Sequence, residues 1–264
     1  MVLSGAKTRR KILFRKAKLA EEAKRYDHMV RFMKEILETT NPDTDLSPKE
    51  RCLLGAAFKN FVIHPRNSLS LATVSTGSWL KSFKRSLAAS YLLTSKTEIS
   101  SACAEIVQLI DRRLLPAAIS KESKVYYLTL KGDFSWYLAE VKGAFDGMVD
   151  EGVANSAYCD AWEMAVDLDL MNPHRLALEF SLAEHLFEFL NSPKEALDTV
   201  ERALDVPALS APDTRPVVSL LTFEGGLQFT VNLITFGQKL QSMLMSDDNA
   251  GTSTSPAGND TGNS

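Results

Sequence analysis

This chain holds little of what enzymes and secreted scaffolds are built from. It has three cysteines in 264 residues. Cys52, Cys103 and Cys159 lie far apart, each in a helical pattern, and read as reduced core thiols of an intracellular, cytoplasmic protein. Four histidines (His28, His64, His174, His185) are scattered. Glu184-His185 with Glu188 comes nearest to metal-ligand spacing, but it has one histidine and no i, i+4 partner, so neither a metal nor a cofactor is expected. No Gly-rich phosphate loop, nucleophile elbow or cysteine pair is present, so no catalytic activity is expected. No apolar run is long enough to span a bilayer, so no transmembrane segment is expected. The N-terminal stretch lacks the apolar core of a secretory signal. A net charge of −3 argues against a general nucleic-acid binder. Alternating strand patterns are weak, and no 34-residue repeat recurs.

What is present is helical periodicity throughout. Leu19, Ala23, Tyr26, Val30, Met33 and Leu37 step by four and three, a sustained apolar seam ended by Asn41-Pro42-Asp43. Ser47-Pro48-Lys49-Glu50 reads as a capping box with proline at the first helical position, and Ser192-Pro193-Lys194-Glu195 repeats it. Ile99, Cys103, Ile106 and Ile110 form another stripe, closed by Pro116. Helices follow over 126–141 and 157–168, and Asn172-Pro173 opens one running to Leu190. The expectation is an all-α antiparallel bundle of about nine helices. Residues 1–11 form a basic N-terminal arm, 12–245 the helical domain, and 246–264 a polar tail without aromatics that cannot order itself. Between Lys7 and Lys18 there are seven basic residues and no acid. This stretch reads as a solvated arm, with an electrostatic address or membrane-surface contact as the alternative.

Two helical faces carry the functional signal. In Arg51-Cys52-Leu53-Leu54-Gly55-Ala56-Ala57-Phe58-Lys59-Asn60, continued to Arg66, the cations Lys59 and Arg66 are seven apart and share a side. In Lys131-Gly132-Asp133-Phe134-Ser135-Trp136-Tyr137-Leu138-Ala139-Glu140, the residues Asp133, Tyr137 and Glu140 do the same. Two cations facing two carboxylates and a phenol would orient an anion such as a phosphoryl group. Taken alone, Lys59 and Arg66 also read as solvated helix charges. Asp133 and Glu140 also read as an acid pair, although i, i+7 spacing separates their Cα atoms by roughly 10 Å.

These segments resemble the 14-3-3 proteins, as do Lys16-Ala17-Lys18-Leu19-Ala20-Glu21, Arg25-Tyr26-Asp27, Glu122-Ser123-Lys124-Val125-Tyr126-Tyr127-Leu128 and Leu190-Asn191-Ser192-Pro193. The resemblance covers residues 12 to 205. It implies a non-enzymatic, dimeric adaptor that binds phosphoserine and phosphothreonine peptides on partner proteins. In that family a Lys, two Arg and a Tyr hold the phosphate. Lys59, Arg66 and Tyr137 match three of them, and Trp136 stands where the second Arg belongs. Asp133 and Glu140 become orienters of the cations. The family's peptide-backbone Asn becomes Ser181, apolar groove positions become Phe180 and Glu184, and Glu188 matches a family Glu. No ligand residue is assigned in 217–245, where the resemblance fades. Losing the second Arg should cost roughly 2–4 kcal/mol, on the order of 30- to 1000-fold in affinity. Pro65, directly before Arg66, is expected to kink its helix and re-aim the guanidinium.

The dimer face implied by the resemblance retains Arg25, Tyr26, Tyr91 and Glu98. A second family ion pair is lost on both sides, at His28 and Thr94. The expectation is therefore an altered, weakened phosphopeptide groove on a homodimer or a heterodimer with a related subunit. The alternative is a structural or regulatory subunit that acts through dimerisation and binds no phosphopeptide.

Overall fold

The computed structural model describes residues 2–75, 82–146, 152–188, 190–204 and 226–251. Every element among them is helical: α1 (Val2–Glu22), α2 (Tyr26–Thr39), α3 (Pro48–Ser75), α4 (Ser82–Leu109), α5 (Leu115–Ala117), α6 (Lys121–Asp146), α7 (Gly152–Ala165), α8 (Pro173–Glu188), α9 (Pro193–Leu204) and α10 (Gly226–Gly251). A π-helical turn, Ile110–Leu114, joins α4 to α5. The chain divides into two compact units, Met1–Leu168 and Asp169–Ser264. Of the expected polar tail, 252–264 lies outside the described residues, and α10 continues six residues beyond Met245.

The core of the first unit takes the whole stripe Ile99, Cys103, Ile106, Ile110, part of the earlier seam, and residues outside both. Met29, Met33, Ile36, Leu54, Phe58, Ile99, Cys103, Ile106, Ile110 and Phe134 are all at most 1% exposed. Its helix starts follow the sequence signals. The Ser47 amide donates to the Glu50 carboxylate at 3.0 Å, one half of the predicted capping box, and the Ser47 hydroxyl donates to it at 2.6 Å. In the second unit Leu176, Ala183, Val200, Ala203 and Leu233 form the core. There the Asn172 side chain accepts the His174 amide at 2.9 Å and caps α8.

Two expectations fail, the unbroken seam and the three buried thiols. The seam from Leu19 to Leu37 is not continuous. Lys24 adopts φ 54° and Leu19 is 63% exposed. The Arg25 and Lys24 amides close α1 on the Ala20 and Glu21 carbonyls at 2.8 and 2.9 Å, a Schellman termination made without glycine. The basic stretch lies along α1. Leu13, Ala17 and Ala20 bury its inner face, and Arg10 binds Glu50 through Nε and Nη2, both at 2.6 Å. Of the three thiols, only Cys103 is buried, while Cys52 and Cys159 are exposed on the outer faces of their helices.

Candidate ligand-binding site on helices α3 and α6

Within the first unit, α3 and α6 bring the two predicted faces together. The Lys59 ammonium lies 2.5 Å from Asp133 Oδ2. Arg66 donates from Nε to Glu140 Oε2 at 2.7 Å and from Nη2 to Oε1 at 3.3 Å, a bidentate pair between residues 74 apart in sequence. Pro65 lies inside α3, which the helical assignment carries through it, and Arg66 still reaches Glu140. The two carboxylates are not equivalent. Asp133 is 2% exposed, whereas the Glu140 side chain is 40% exposed.

Asp133 is held by a residue that the motif did not reveal. The Tyr158 hydroxyl on α7 donates to Asp133 Oδ1 at 2.8 Å. The α6–α7 approach needs Gly132: a Cβ there would lie 2.5 Å from Tyr158 Cε1. One turn before Lys59, Gly55 serves the same purpose, since a Cβ there would lie 2.1 Å from the Tyr126 hydroxyl. That hydroxyl donates to the Arg51 carbonyl at 3.0 Å. A glycine inside a helix costs about 1 kcal/mol relative to alanine and points to a packing need. That was the available signal at both positions; nothing local marks Tyr158 itself.

The electrostatics follow from this burial. Desolvation pushes the Lys59 ammonium toward neutrality, but the Asp133 charge overcomes it, aided by Tyr137, and Lys59 stays protonated with its pKa above the ordinary lysine value. Its side chain remains 44% exposed. Each cation thus has its own carboxylate, and the cluster Lys59, Arg66, Asp133, Glu140 is neutral.

Trp136 is 3% exposed and packs inward. Its ring centroid lies 5.2 Å from that of Tyr137, with the planes at 39°. The Arg66 guanidinium carbon sits 5.3 Å from the Trp136 ring and 5.2 Å from the Tyr137 ring. Arg66 is therefore fixed by a carboxylate and two aromatic faces at once.

The remaining site residues divide between the units. Ser181 is buried on α8 at 6% exposure. Phe180 packs against Phe236 of α10 with centroids 5.9 Å apart. Glu184 is half-buried and Glu188 exposed on the same helix. In the first unit Arg25 turns to its own neighbours, 3.4 Å from Asp27 and 3.1 Å from His28 Nε2. Tyr26 is half-buried against the core, and Tyr91 is 56% exposed. Glu98 is exposed and lines a cavity of about 610 Å³ between α2, α3 and α4.

Among the described residues the chain is all-α, with two carboxylate-paired cations on adjacent faces and an aromatic pair against one of them. Comparison with known proteins makes this specific. The 14-3-3 protein family pattern matches residues 16–215. The 14-3-3 protein zeta of Bombyx mori is 37% identical over 196 residues, which are 73% of this chain and 78% of that protein. A 14-3-3-like protein, G-BOX factor 14 kappa of Arabidopsis thaliana, is 36% identical over 194 residues, 72% of this chain and 78% of that protein. The 14-3-3 protein beta/alpha of Bos taurus is 34% identical over 195 residues, 73% and 78% of the two chains. The chain belongs to the 14-3-3 family. Proteins of this family are partner-binding adaptors rather than enzymes, and the family implies protein partners and dimers. Among the described residues no helix is long and apolar enough to cross a membrane.

Proposed function

We propose that this protein is a cytoplasmic adaptor whose phosphopeptide groove is altered and weakened. The observation that carries this reading is the Arg66–Trp136 stack beside a cluster with no net charge. A phosphate brings close to two negative charges, and a site for it needs surplus cation. Lys59 and Arg66 are each already matched by a carboxylate, and the residue that would supply the surplus is an indole. A neutral cluster favours a ligand of lower charge, so partner choice depends less on phosphorylation. Phe180, Ser181, Glu184 and Glu188 take a peptide-contacting role from the family correspondence alone. Calorimetry with one peptide in phosphorylated and unphosphorylated forms tests the reading. Weak binding, with less than about tenfold preference for the phosphorylated form, is the expected result. Tight binding that requires the phosphate would overturn it.

A second reading is a subunit that acts by pairing with its own copy or with a related 14-3-3 chain. Leu19 and Tyr91, 63% and 56% exposed, support it, because both are large apolar groups on helix faces that the family uses to dimerise. Glu98→Arg should then shift sedimentation toward monomer. A chain that stays monomeric at high concentration, alone and mixed with a regular 14-3-3 subunit, would exclude this reading.

A further inference from the structure

The reverse side of α3 carries a cavity that the α3–α6 site does not use. Phe61 follows Lys59 by two positions, which places it on the opposite side of the helix from the paired cations. There α2 and α4 flank α3 and leave a groove of about 610 Å³. That volume is in the range that holds a small molecule. Val30, Phe61 and Ala102 line it with apolar surface, and Phe58, 1% exposed, belongs to the core behind it. One end, at Asp27 and Glu98, adjoins the dimer face implied by the family and is no part of the site.

The other end is acidic and unevenly paired. Lys34 of α2 reaches across to Glu105 of α4 in an ion pair. Arg31 turns to the Phe32 ring, its guanidinium carbon 5.1 Å from the centroid. Glu35 and Glu38 line the same wall, and among the described residues neither has an ion-pair or hydrogen-bond partner. Glu35 is half-buried. A carboxylate partly withdrawn from water gains more from an opposite charge than one in solvent. Glu35, Glu38 and Glu105 stand against Arg31 and Lys34, so this end carries one surplus negative charge. The pair across the groove can also exchange. Its side chains are 43% and 44% exposed, so it costs little to open. Lys34 and Glu38 stand at i, i+4 on α2, close enough to pair. An incoming ammonium that takes Glu105 therefore does not leave Lys34 unmatched.

We propose that this end of the groove binds a small organic amine, with one ammonium among Glu35, Glu38 and Glu105 and an apolar body on Val30, Phe61 and Ala102. A metal ion would gain nothing from the apolar lining. A phosphorylated or carboxylate ligand would meet the surplus negative charge.

Chemical-shift titration of the full chain with 2-phenylethylamine tests this. A fragment of that size should bind at about millimolar strength. It should bind at least about tenfold tighter than 2-phenylethanol, which has the same body without the charge, and than methylamine, which has the charge without the body. Perturbed amides should cluster around Val30, Phe61 and Ala102. Glu35→Gln combined with Glu38→Gln should weaken binding about tenfold at unchanged thermal stability, because neither side chain belongs to the core. Lys34→Ala should tighten binding several-fold, because it releases Glu105; a merely structural lysine would not act in that direction. No saturable binding of the amine would overturn the proposal, as would an alcohol that binds as tightly, Lys34→Ala that weakens binding or leaves it unchanged, or shifts confined to the α3–α6 site. Amine binding that is lost as the chain self-associates would assign the groove to a second copy and overturn the proposal as well.

Discussion

The guanidinium carbon of Arg66 lies 5.3 Å from the centre of the Trp136 ring, while the same group is held on its other edge by the Glu140 carboxylate. An arginine at position 136 would repel Arg66, and the ligand's charge would have to offset that repulsion. Tryptophan removes the repulsion and replaces it with attraction to a ring face, worth about 0.5–2 kcal/mol. On the proposed reading this weakens the hold on a dianion.

Trp136→Arg should restore surplus charge. Affinity for a phosphoserine peptide should rise on the order of tenfold or more, with a clear loss of thermal stability, because a buried indole gives way to a charge beside Arg66. Calorimetry and a melting curve on the same sample read both effects. Unchanged affinity would mean that Pro65 or the second-unit residues limit binding instead.

Gly132→Ala forces a methyl group against the Tyr158 ring and so disturbs its bond to Asp133. We expect a loss of about 1–3 kcal/mol. Tyr158→Phe removes the bond without the clash and should cost about 1–2 kcal/mol, because the buried Asp133 keeps only its Lys59 partner among those described here. Denaturant unfolding should rank both variants below the parent, and the double variant should cost less than the sum of the two.

Glu50 gives a pH signature. Burial pushes its carboxyl up, but hydrogen bonds from Arg10 and Ser47 outweigh this and hold its pKa below the ordinary 4.5. A pKa depressed on folding contributes stability that is present above the unfolded value and lost as pH falls through the folded one. Glu50→Gln should therefore lower stability by about 1–3 kcal/mol at neutral pH, with a smaller deficit below pH 4.5. Melting temperatures measured down to that range should converge. A deficit constant with pH would mean that packing rather than charge ties α1 to α3.

The thiols should separate by reactivity. Burial, with the Glu140 charge adding to it, pushes Cys103 up to about 12. At mildly alkaline pH a thiol reagent should modify Cys52 and Cys159 in the native protein and Cys103 only after unfolding. Three rapidly modified thiols would show that the α4 stripe opens readily.

Much of this was legible in the residues, and what was not shares a cause. Pro48, Pro173 and Pro193 each open a helix as their spacing indicates, because capping is local chemistry. The stripe Ile99, Cys103, Ile106, Ile110 is buried as its period requires. The period of Leu19, Ala23 and Tyr26 ran on, however, through a point where the chain turns at Lys24. The local backbone bonds to Ala20 and Glu21 that end α1 leave no mark in an apolar pattern. Cys52 and Cys159 sit in helical patterns too, and a pattern does not say which turn faces outward.

The sequence by itself determined that the chain is helical, that Lys59 and Arg66 share one face, and that Asp133, Tyr137 and Glu140 share another, because these are properties of spacing along one helix. Only the tertiary structure decided that Asp133 is buried between Lys59 and Tyr158, that Trp136 stacks on Arg66, and that the basic stretch is an ordered face of α1. Each of these depends on what the face meets. The partners come from segments distant in the chain, such as Glu140 for Arg66 and Glu50 for Arg10, and long-range packing rather than helical period brings them within reach.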